Sequence, residues 1–132
     1  MMNTRALPLS RGLLLLAAVG LTACGPKYQE TDFTIRSTAP VPIVATPDLI
    51  ELPAGIAVDV SVEPLSTNSY EYDDYYTVRL KSRDRGVFDV ADGPTEREFV
   101  FLGIHAGTTC VEIIIEGELQ ECIDVTVTNP ES

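Results

Sequence analysis

The sequence predicts an all-β fold: one sandwich of about seven short strands, preceded by a removable leader and an extended tether. Three observations carry that expectation. Apolar residues recur with period two, as where Val58, Val60 and Val62 alternate with Asp59, Ser61 and Glu63, and Ile123, Val125 and Val127 with Asp124, Thr126 and Thr128. That spacing lines one face of a strand. Turn formers punctuate the runs at Gly55, Pro64, Gly86, Gly93-Pro94, Gly107 and Gly117. No window of helical length keeps an apolar stripe of period 3.6.

Taken in order, strands are expected near 48–53, 56–63, 75–82, 87–90, 97–104, 108–115 and 118–128, inside a domain spanning 47–129. Seven strands at that spacing are the pattern of a single immunoglobulin-like sandwich. Upstream, residues 24–46 hold Pro26, Pro40 and Pro42 among several threonines. They read as a stiff tether extending about 3.1 Å per residue, which would hold the domain tens of ångströms from its attachment point. Within it Phe33 and Ile35 alternate, so Thr31–Arg36 offers an edge strand at most.

Composition narrows the function. The 132 residues carry Lys+Arg 9 against Asp+Glu 20, a net charge of −11, with one His and three Cys. An acidic excess of this size repels phosphate backbones, which argues against nucleic-acid partners. One histidine is too few for a multi-histidine metal site in a single chain and leaves one base for Ser-His-Asp or Cys-His chemistry. The motifs G-x-S-x-G, S-x-x-K and HExxH are absent from the sequence, as is a phosphate-cradling glycine loop. A non-enzymatic chain without a cofactor is therefore expected.

The leader occupies 1–23. Arg5 and Arg11 supply positive charge, and Gly12 to Leu21 form an apolar run interrupted by no acid. That run is half the roughly 20 residues a membrane-spanning helix needs. Leu21-Thr22-Ala23-Cys24 followed by Gly25 resembles the lipobox of bacterial lipoproteins. The resemblance implies cleavage before Cys24, acylation of Cys24 on sulfur and then on its amine, palmitate among the acyl chains, and a mature chain of 109 residues. Losing Arg5 and Arg11 leaves seven basic residues against twenty acids, a net of −13. Each buried methylene contributes about 0.8 kcal/mol, so several acyl chains anchor firmly without a basic surface. Gly25 after the lipidated cysteine, by the enterobacterial sorting rule, implies the cell outer membrane.

The domain carries a second resemblance. Asp48-Leu49-Ile50-Glu51-Leu52-Pro53-Ala54-Gly55 ahead of alternating valines, and Gly103-Ile104-His105-Ala106-Gly107 running into Val111, are similar to the opening strand and penultimate strand of bacterial Ig-like (Big) domains. What this implies is the fold, not a ligand; together with the lipobox it is read as a non-catalytic interaction or structural module of the cell envelope, meeting an unidentified protein or glycan. Two alternatives stand beside it: a small periplasmic inhibitor of a lysozyme or protease, and a structural subunit of an envelope complex.

With Cys24 acylated, Cys110 and Cys122 remain to pair in an oxidising compartment. A three-residue loop at Ile115-Glu116-Gly117 would set them directly opposite in the last hairpin, where a disulfide stabilises by about 3 kcal/mol on the chain-entropy account. In that register Val111, Ile113, Leu119, Ile123, Val125 and Val127 share the inward face. Glu121 also falls there, so it marks an open end of the sandwich or a bulge.

The candidate recognition surface is Tyr70-Glu71-Tyr72-Asp73-Asp74-Tyr75, which with Tyr76 holds four of the five tyrosines. Tyrosine offers large contact area at low entropic cost, and the acids suit a basic partner. Asp84, Asp89 and Asp92 extend the supply of hard oxygen ligands, but their spacing fits no calcium loop, and solvated surface acids are expected. Arg79, Lys81, Arg83 and Arg85 read as a solvated basic face, and His105 as a turn residue.

Overall fold

The computed structural model describes residues 24–38 and 41–130. Nine strands occur in this span: β1 (Tyr28–Ile35), β2 (Val44–Ala45), β3 (Leu49–Pro53), β4 (Ala57–Ser66), β5 (Val78–Ser82), β6 (Phe88–Asp92), β7 (Glu98–Gly103), β8 (Gly107–Ile115) and β9 (Glu118–Thr128). They form a sheet of order β1-β4-β7-β6 and a sheet of order β2-β3-β9-β8-β5. Reading β4 to β9 as the immunoglobulin strands B to G, the sheets are A-B-E-D and A′-G-F-C, the immunoglobulin arrangement. The chain is all-β, with nine strands rather than seven because the first strand is divided between the sheets as β1 and β3, and the two-residue β2 adds an edge beside β3.

That division corrects the tether reading of 24–46. Residues 28–35 are an edge strand in antiparallel register with β4, from Tyr28 opposite Ser66 to Ile35 opposite Val60. Thr31 is fully buried and Phe33 meets Phe101 edge to face at 5.8 Å. The strand begins three residues before the edge strand offered at Thr31–Arg36, because its inward positions Tyr28 and Thr31 are polar and only Phe33 is apolar. The chain then joins the other sheet at β2, just after Pro42, whose missing N–H cannot extend a ladder. There β3 runs parallel to β9, Leu49 opposite Asp124 through Pro53 opposite Thr128.

The core follows the period-two pattern. Ile50, Leu52, Val58, Val60, Val62, Phe88, Phe101, Val111, Ile113, Ile123, Val125 and Val127 point between the sheets and are almost entirely removed from water. Each such side chain contributes about 1.5–3 kcal/mol over an exposed position. Pro64, expected to end a strand at 63, lies inside β4. Val62 donates its N–H toward Arg97, and Pro64 points the same way, beyond the start of β7, where no acceptor would wait.

The last hairpin also departs from expectation. Its turn has two residues, Glu116 (φ 51°) and Gly117 (φ 78°), both left-handed as a type I′ turn requires. A bulge follows: Ile114 faces Leu119 while Ile113 faces Glu121, leaving Gln120 unmatched. The bulge turns Leu119 outward, to 53 % exposure, instead of onto the inward face. Cys110 faces Asp124 and Cys122 faces Glu112, so the cysteines lie diagonally rather than directly opposite. With their Cα atoms 5.4 Å apart they still form the Cys110–Cys122 disulfide.

Strand directions sort the connections into two poles. The near pole holds residues 24–27, the loop 67–77, the loop 93–97 and the turn Glu116-Gly117. The far pole holds 54–56, 83–87 and 104–106. Among the described residues no helix is long and apolar enough to cross a membrane.

Candidate functional site

The near pole gathers most of the residues singled out from sequence. Its frame begins where β4 ends. Lys27 donates its N–H to Ser66 Oγ at 3.0 Å, and Thr67 donates its own to the Lys27 carbonyl at 2.9 Å. The Asn68 amide Nδ2 donates to the Gly25 carbonyl at 2.9 Å, while Asn68 Oδ1 accepts from Ser66 Oγ and the Tyr70 N–H. Cys24, an exposed free thiol, is therefore one residue from a side chain of the tyrosine loop.

The loop is built from both buried and displayed residues. Tyr72 packs against Tyr76 edge to face, centroids 5.4 Å apart, and both lean on the core. Burial, then the Tyr76 phenol, push the Tyr72 hydroxyl above its ordinary range. Arg97 reaches in from the β6–β7 loop and donates to the carbonyls of Asp73 at 2.6 Å, Tyr76 at 3.0 Å and Tyr72 at 3.4 Å. Asp73 Oδ1 accepts the Tyr75 N–H at 3.0 Å, tightening the tip. Of the six candidate recognition residues, Tyr70, Glu71, Asp73, Asp74 and Tyr75 are exposed, Tyr75 to 90 %, whereas Tyr72 is a packing residue.

A polar cluster missed in the sequence closes the sandwich beneath this pole. The Tyr28 hydroxyl donates to Glu121 Oε2 at 2.6 Å, and the Thr31 hydroxyl lies 2.6 Å from it. Burial first, and the bond to Glu121 second, raise the Tyr28 phenol far above its normal range. The signal was present in Glu121, an acid on an apolar face, but its partner lay in the presumed tether. A depression of about 460 Å³ opens here, between Pro26, Tyr28, Tyr72, Tyr76 and Glu118.

Other candidates disperse. Among the described residues no group of three or more His, Cys, Asp or Glu could hold a metal ion. Asp84 Oδ1 accepts the Gly86 N–H, Arg85 pairs with Asp89 at 3.2 Å, and Arg83 with Glu112 at 3.2 Å. His105 sits exposed at the far pole, its backbone N–H donating to Val87. A larger open groove, about 1010 Å³, runs between the edges of β5 and β6 and mixes Arg79 and Arg97 with Asp89 and Glu98.

No protein-family profile matches the chain, and no curated protein matches it. Among solved structures it is similar to domains 4 and 5 of the S-layer protein SbsC, at 14 % identity and a TM-score of 0.45 over 74 % of this chain. The chain spans 54 % of that structure, about half its length.

Proposed function

We propose that this chain is a bacterial lipoprotein whose immunoglobulin-like domain serves, without catalysis, as an interaction or structural module of the cell envelope. The observation that carries the reading is the state of its cysteines. Cys110 and Cys122 are consumed by one disulfide, while Cys24, at the end of the lipobox-like Leu21-Thr22-Ala23-Cys24, keeps an exposed thiol immediately before the folded domain. Leader removal at that point would leave the sandwich whole, since its first interstrand contacts begin at Gly25 and Lys27. Residues 1–23 lie outside the described residues, so the leader rests on its sequence pattern.

The test is Cys24→Ser in the full chain, expressed in a bacterial host with labelled palmitate. Label should be lost and the product should leave the membrane fraction. A serine variant still recovered with membranes to the wild-type extent would overturn the anchor.

A further inference from the structure

The near pole presents an unusual surface for the place it occupies. Tyr75 is 90 % exposed, Tyr70 51 % and Leu119 53 %, the last turned outward by the hairpin bulge. Tyrosine and leucine side chains of this kind suit the boundary between headgroups and acyl chains, where a ring or alkyl body is covered while a hydroxyl stays wet. Glu71, Asp73, Asp74, Glu96, Glu116 and Glu118 stand at the same pole. Six carboxylates would be repelled by anionic headgroups, so among bilayers the surface suits a neutral, zwitterionic one.

Position supplies the second argument. A 23-residue tether would let the domain hang at any angle, but no such slack exists in the fold. Gly25 is held by Asn68, Lys27 by Ser66 and Thr67, and Tyr28 by Glu121. With the leader removed, only Cys24 would lie beyond the first of these contacts, and neighbouring Cα atoms are about 3.8 Å apart. Acyl chains on Cys24 would thus enter the bilayer within about one residue of the loop that displays Tyr70 and Tyr75. β4 has ten residues, so the far pole would stand roughly 30 Å above the headgroups.

We propose that the near pole is a membrane-docking surface, with Tyr70, Tyr75 and Leu119 seated among zwitterionic headgroups when Cys24 is acylated. This rests on the lipid-anchor reading. It turns the tyrosine loop toward lipid instead of toward a soluble partner.

The chain contains no tryptophan, so one introduced indole reports a single place. Tyr75→Trp at the near pole and His105→Trp at the far pole both alter exposed side chains and leave the core untouched. Each full-length variant is expressed, extracted from membranes and reconstituted in phosphatidylcholine–phosphatidylethanolamine vesicles. The vesicles carry a phosphatidylcholine spin-labelled near its glycerol end, and mass spectrometry of the same sample reads acylation of Cys24. Fluorescence of the Tyr75→Trp variant should be quenched at least threefold more strongly than that of His105→Trp. Equal or reversed quenching in acylated protein overturns the docking surface and leaves the anchor intact. An unacylated Cys24 in protein that stays off the vesicles overturns the anchor and the docking surface together.

Discussion

Replacing Tyr28 by Phe removes one oxygen atom and tests whether the first strand belongs to the fold energetically. In the wild type that oxygen donates to the half-buried Glu121 carboxylate and lies 2.6 Å from the hydroxyl of Thr31, which is fully buried. A hydrogen bond to a charged acceptor is worth about 1.5–3 kcal/mol, and Glu121 keeps enough water to favour the lower end. The Thr31 hydroxyl then loses its partner in an apolar setting. Tyr28→Phe should therefore cost about 2 kcal/mol, or roughly 8 °C in Tm for a domain of this size. Tyr75→Phe, at an exposed tip, should melt with the wild type. Repeating the substitution in a Glu121→Gln background should recover about half of the cost, because the charged acceptor is gone. The phenol also gives a pH signature. Its folded pKa is raised, so its contribution is complete below about pH 10, where an unfolded tyrosine begins to ionise, and declines as pH climbs toward the folded value. Wild type should lose stability above pH 10 more steeply than Tyr28→Phe. Melting of the variant within about 1 °C of wild type at pH 7, with parallel alkaline profiles, would refute the reasoning.

Two further substitutions probe the frame. A Cβ on Gly103 would come within 2.3 Å of the Pro53 carbonyl oxygen, so Gly103→Ala should lower stability by about 3 kcal/mol in thermal melts, while Gly117→Ala, with open space but φ 78°, should cost about 1 kcal/mol. Arg97→Ala removes the single guanidinium nitrogen that bridges three carbonyls of the tyrosine loop, so chymotrypsin should cut near Tyr72 and Tyr76 several times faster while circular dichroism keeps the β signature.

Alternation made most of the strands legible. β9 spans Glu118–Thr128 as expected, because Ile123, Val125 and Val127 alternate without exception. The β5 start shows the limit of that signal. Tyr76 fits the alternation but belongs to the loop, held by Arg97 and set edge to face with Tyr72, and the ladder begins at Val78. β1 is only partly legible: Phe33 and Ile35 mark the edge strand offered at Thr31–Arg36, but its start at Tyr28 depends on Glu121, a partner 93 positions away. The pairing of Cys110 with Cys122 was read correctly although its register was not. One bulged residue shifts every opposite pair, yet a disulfide tolerates the diagonal. The clustering of Cys24 with the tyrosine loop was illegible, since which loops share a pole is decided by sheet order.

The divided first strand has a mechanical consequence. Cys24 lies at one pole and the end of β9 at the other, so a pull applied between Cys24 and Thr128 would run along the strands. Both terminal ladders, β1 on β4 and β9 on parallel β3, would be sheared with many hydrogen bonds strained at once, not peeled apart bond by bond. Resistance to such a pull is set by the unfolding rate. The Cys110–Cys122 bridge further ties β9 to β8.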